Sequence, residues 1–108
     1  MPTDSPEVEV QPISGIDRIV HEPARLSLLA QLYGAESADC LYLLRQTGLT
    51  KGNLSAHLRK LEDAGYVSVE KTFVDRLPLT VFRLTDEGRE AIEAYRKQML
   101  DVLGAFDS

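Results

Sequence analysis

The chain has 108 residues, 44% of them hydrophobic and 27% charged, with a formal net charge of −5. That is room for one domain of ordinary globular composition, and no apolar run approaches the roughly 18 residues of a membrane-spanning helix. The single cysteine, Cys40, excludes an internal disulfide and a four-cysteine zinc site, and it fits a reducing, cytoplasmic compartment with no membrane partner.

Residues 1–14 contain Pro2, Pro6 and Pro12 and no periodic apolar pattern, so they are expected to form a flexible arm. Ile16, Ile19 and Val20 suggest a short helical turn ahead of a first helix beginning at Pro23. Proline suits that first position because its missing N–H would have no helical partner. Leu26, Leu28, Leu29, Leu32 and Tyr33 give this helix a wide apolar face, and Gly34 is placed to end it. A second helix is expected over 38–47, capped by Ser37, burying Leu41 and Leu44 with Tyr42 or Leu43, and closed by Gly48.

The third helix starts after the N-cap Thr50 and runs over about 51–64. Leu54, Leu58 and Leu61 mark its inward face. Gly65 stands at the left-handed position after it, and Tyr66 can fold back on Leu61. The period then changes to two. Residues 66–73 and 79–84 read as a hairpin joined by Val74, Asp75, Arg76, Leu77 and Pro78. Val67, Val69 and Phe73 are expected to face inward, with Lys71 marking where the strand leaves the core. Thr85 caps a last helix running to about residue 106, with Asp86 and Glu87 at its positive end. Ile92, Tyr95, Met99, Val102 and Phe106 form a coiled-coil-like seam along it, over about two heptads.

Helices two and three are joined by Thr47, Gly48, Leu49 and Thr50, a short glycine-containing turn of the helix-turn-helix kind. The hairpin after helix three makes a winged version. The expected fold is therefore mainly α with a small β-hairpin: a winged helix-turn-helix over 15–84, then a C-terminal helix over 85–108 that serves dimerisation. The segment from Thr50 through Leu54, His57, Leu58 and Leu61 to Val67 resembles the recognition-helix region of small winged-helix transcriptional regulators of the MarR-like and ArsR-like class. His21-Glu22-Pro23-Ala24-Arg25-Leu26 and Phe82-Arg83-Leu84-Thr85-Asp86-Glu87-Gly88-Arg89 resemble the same class, so the likeness spans about 15–103.

The charge distribution fits a DNA partner better than its total does. Residues 1–44 carry two basic and seven acidic side chains, residues 45–83 seven basic and four acidic, and residues 84–108 three basic and six acidic. A basic centre between acidic ends can touch DNA locally while limiting nonspecific adhesion.

At about 100° per residue, Gly52, Ala56, Arg59, Lys60 and Asn53 point away from the leucine face of helix three. Small residues permit close approach to base edges, cations meet phosphates, and asparagine can pair with an adenine edge. Lys51, Ser55 and His57 lie on the flanks. The resemblance implies that Ser55 faces DNA. Thr50 is first a cap, whose hydroxyl can also reach phosphate. His57 stays open between a phosphate contact, a core-edge donor and a solvent residue, and Arg59 between DNA and a surface pair with Asp63. Arg76 at the hairpin tip is the expected wing contact, although Asp75 beside it repels phosphate; Arg83 is expected to support the sheet.

Catalytic chemistry is not expected. Lys51-Gly52 inverts the order of a phosphate-binding loop, and His21 and His57 stand apart with no nearby cluster of metal ligands. The expected function is a sequence-specific, homodimeric regulator of double-stranded DNA, paired through 86–106 with help from 15–33. The alternatives are a winged-helix protein-interaction module and a thiol-responsive regulator sensing through Cys40, which otherwise reads as an inert packed thiol. An unidentified small-molecule effector is a further open partner.

Overall fold

The computed structural model describes residues 15–107. The arm expected over 1–14 lies outside them. The elements are α1 (Pro23–Tyr33), β1 (Ala38–Asp39), α2 (Cys40–Thr47), α3 (Lys51–Asp63), β2 (Val67–Val74), β3 (Leu77–Leu84) and α4 (Asp86–Gly104). The strands form one antiparallel sheet in the order β1-β3-β2.

Ahead of α1, Asp17 organises a single turn. Its carboxylate accepts from the Ile19 and Val20 amides, and its carbonyl accepts from His21 N. Ile16 and Val20 are thereby buried. Glu22 caps α1 by accepting from Arg25 N at 2.8 Å, with Pro23 in the first turn as expected. The helix buries Leu28, Leu29 and Leu32 completely. It does stop at Gly34, but that residue is right-handed (φ −90°), so the ending does not draw on glycine's freedom.

The second helix corrects the expected boundary. Ala38 and Asp39 pair with Phe82 and Val81 of β3, so α2 begins at Cys40 and its cap is Asp39, not Ser37. The shift turns Leu43 fully inward and leaves Leu41 and Tyr42 exposed, so Leu41 is not the core residue its spacing suggests. Gly48 ends α2 in the left-handed region (φ 71°) and starts the turn into α3.

Thr50 caps α3, accepting from Asn53 N. Leu54, Leu58 and Leu61 are buried as their spacing requires. Gly65 takes φ 82°, and Tyr66 N donates to Leu61 O at 2.9 Å, the double-bonded helix ending that a glycine there allows.

The hairpin is longer and its turn tighter than expected. Val74 pairs with Leu77, leaving only Asp75 and Arg76 in the turn, both at positive φ (53° and 70°). That backbone is the primed turn whose twist matches the strands. Only the hairpin base joins the core. Val67 and Phe82 are buried, but Val69 is at the surface and Phe73 is 71% exposed, so the strand leaves the core before Lys71. Arg83 supports the sheet, donating to Glu70 and to the Glu36 carbonyl.

Thr85 caps α4 through Gly88 N and donates to Gly65 O, tying the start of α4 to the end of α3. The core thus sits between α1, α3, the hairpin base and Tyr95 of α4.

Candidate nucleic-acid interface

With its leucines inward, α3 presents Lys51, Gly52, Asn53, Ser55, Ala56, Arg59 and Lys60 to solvent. A methyl group added at Gly52 would meet nothing within 4 Å. Ser55, Ala56, Arg59, Lys60 and Asp63 line a shallow groove along the helix. Among the described residues no carboxylate lies within 4 Å of Lys51, Arg59 or Lys60, so the Arg59–Asp63 pair is not formed and the cations are free. Small residues at the centre and unpaired cations around them suit a helix that enters a groove lined by phosphates.

His57 is half-buried on the flank, with Nδ1 3.2 Å from Arg25 Nη1 and 3.9 Å from Glu22 Oε1. Glu22 is held below the usual carboxylate range, first by the Arg25 amide it accepts, with the Arg25 guanidinium charge adding to it. The role of Arg25 is not visible in the sequence because its partner is 32 residues away; a charged residue inside the apolar face of α1 is the one available signal. Arg76 stands exposed in the wing turn, beside Asp75.

The expected seam on α4 divides. Tyr95 is a core residue of its own chain, with its hydroxyl 2.8 Å from His21 Nδ1, so it is withdrawn from the outer surface. Ile92 and Met99 pack against the core at its edge, Val102 is half-exposed, and Phe106 is fully outside, beyond the last helical residue. Leu100 and Leu103, which fall outside the heptad seam, are more than half exposed. Between α1 and α4 runs a groove of about 560 Å³ lined by Leu26, Leu29, Ala30, Tyr33, Ile92, Glu93 and Arg96. Tyr33 donates to Glu93 at its edge, and Arg89 lies over the Tyr33 ring.

Cys40 is a half-exposed free thiol at the first position of α2. Among the described residues no three histidine, cysteine or carboxylate side chains converge as a metal site would require.

Three helices, a short turn between the second and third, a β-hairpin directly after the third and a cationic outer face on it define a winged helix-turn-helix. The chain belongs to the winged helix DNA-binding domain family, whose model matches residues 24–103. It is similar to an uncharacterized protein of Methanocaldococcus jannaschii, 35% identical over 85 residues that cover 79% of this chain and 92% of that one. It is also similar to the uncharacterized HTH-type transcriptional regulator YdgJ of Bacillus subtilis, 36% identical over 75 residues. That match covers 69% of this chain and 45% of the relative, so the chain spans just under half of that protein. Among solved structures, the transcriptional regulator homologue from Pyrococcus horikoshii OT3 superposes with a TM-score of 0.77 at 32% identity, covering 83% of this chain and 89% of that one.

Proposed function

We propose that the protein is a sequence-specific, homodimeric transcriptional regulator. Residues 51–64 enter the major groove and the wing over 67–84 lies on the flanking backbone or minor groove. The carrying observation is the outer face of α3, where Gly52 and Ala56 stand among the unpaired Lys51, Arg59 and Lys60. Asn53 and Ser55 contact bases or sugar, Thr50 and His57 the backbone, and Arg76 the wing site. A second copy, paired through α4, sets two recognition helices against half-sites about 34 Å apart.

The test is retention of random genomic fragments by the purified protein across a salt series, with sequencing of what is kept. An enriched palindrome with half-sites one turn apart is expected. Replacing Lys51, Arg59 and Lys60 together with alanine is expected to lower affinity and flatten the salt dependence. The log–log slope should fall by roughly 0.9 for each phosphate that is no longer neutralised. Unchanged binding by that variant removes α3 as the interface. The apolar wing tip favours a second reading, a protein-interaction module, since Phe73, Val74 and Leu77 are all more than half exposed there. Weak binding without any motif would support it.

A further inference from the structure

Arg25 is the one buried charged side chain among the described residues, at 8% exposure. Two of its nitrogens are committed to backbone: Nε donates to Ile19 O at 2.7 Å and Nη2 to Arg18 O at 3.3 Å. Its third arm, Nη1, lies 3.2 Å from His57 Nδ1. A guanidinium has donors and no acceptor, so His57 Nδ1 must be the accepting nitrogen. A neutral imidazole carries one N–H, which is therefore on Nε2. Glu22 does not compete, because its Oε1 is 3.9 Å from Nδ1 and already accepts the Arg25 amide at 2.8 Å.

The placement of the ring gives that tautomer a use. His57 lies four residues after Asn53 and three before Lys60, so the three share one flank of α3. Asn53 and Lys60 are exposed, and the His57 side chain keeps 22% of its surface in solvent. We propose that Arg25 is a positioning residue for DNA recognition, holding His57 as an Nε2–H donor to a backbone phosphate at the flank of α3. The inference rests on the DNA-binding reading above and deepens it. The donor is neutral, so the contact releases no counterion. It adds affinity on every sequence without steepening the salt dependence, unlike the lysine and arginine contacts.

The test uses the full chain and a DNA duplex taken from the genomic selection. Nitrogen-15 NMR of the imidazoles in the free wild type is expected to show His57 with its proton on Nε2; a proton on Nδ1 overturns the proposal whatever any variant does. His57→Gln keeps a donor near the Nε2 position and is expected to bind as the wild type. His57→Ala is expected to lose about tenfold to a hundredfold in affinity, the worth of one hydrogen bond to a charged acceptor, at an unchanged salt slope. Arg25→Met is expected to cost a similar factor alone and nothing further in the His57→Ala background. Arg25→Lys, which keeps a donor, guards against a methionine variant that fails to fold and is expected to restore much of the loss. Wild-type affinity in His57→Ala, or full additivity of the two losses, overturns the assignment alone. A wild type that binds no DNA overturns the proposed function and the assignment with it.

Discussion

Gly88 and Gly52 both sit in helices, yet a methyl group has opposite consequences at the two. At Gly88 an added Cβ would stand 2.2 Å from Tyr66 O and 2.8 Å from Leu84 Cδ1, because α4 begins directly on the backbone that ends α3. Gly88→Ala is expected to lose about 2–3 kcal/mol in urea unfolding. At Gly52 the space is open, so Gly52→Ala gains about 1 kcal/mol of helix propensity while thickening the face proposed to approach DNA. It is expected to raise the melting temperature and weaken operator binding, measured on the same preparation. Improved stability with unchanged affinity would show that α3 does not approach its partner closely there. Tyr66 carries a pH dependence of its own. Its hydroxyl donates to the Asp17 carboxylate, and that bond, with burial and the nearby charge, pushes the phenol from 10.0 up to about 12. The folded state holds this proton more tightly than the unfolded state. The stability it brings is therefore complete below pH 10 and is lost as pH rises through about 12. Tyr66→Phe is expected to flatten the fall in unfolding free energy over that window, read by urea titration at stepped pH.

The elements differ in how far local sequence determines them. Thr50, Thr85 and Gly65 are legible because each acts on backbone within about five residues, and each does so in the structure. The start of α2 is not, since the pairing of Ala38 and Asp39 with β3 comes from residues more than forty positions away. The wing turn escapes sequence reasoning for a chemical reason. A two-residue primed turn favours asparagine, aspartate and glycine, and this one seats an arginine at φ 70°. Most of the α3 face is readable from helical period alone, whereas the link from Arg25 to His57 crosses between helices and leaves no spacing to find. The turn gives a two-sided prediction. Arg76→Gly relieves the left-handed strain and is expected to add about 0.5–1 kcal/mol of stability. It also removes the wing cation, so the slope of DNA affinity against salt is expected to fall by roughly 0.9 per wing if Arg76 meets a phosphate. A more stable protein with an unaltered slope would place the wing tip off the DNA and leave its apolar residues for another partner.

At the scale of the whole molecule, α4 serves folding along its middle, and the proposed dimer would use its far end. Tyr95 closes the chain's own core and bonds His21, so the middle of α4 is used internally. The distal part turns Leu100, Leu103 and Phe106 outward, with exposures of 56%, 53% and 80%. Three large apolar side chains at and just beyond the end of α4 leave apolar surface that water disfavours, and a second copy would offer the same surface in return, as a two-fold contact requires. Because these residues touch little in their own chain, Leu100→Gln with Leu103→Gln is expected to leave the circular dichroism and melting of the folded unit nearly intact. Sedimentation at micromolar concentration is expected to shift from dimer to monomer. Linking two recognition helices multiplies affinity by roughly 10²–10⁴ over one, so the same variant should lose about that factor on a full palindrome and almost nothing on an isolated half-site. A wild type that sediments as a monomer at micromolar concentration removes the dimer. A variant that stays dimeric moves the interface to the groove between α1 and α4, where Leu26, Tyr33 and Ile92 would be the residues to change next.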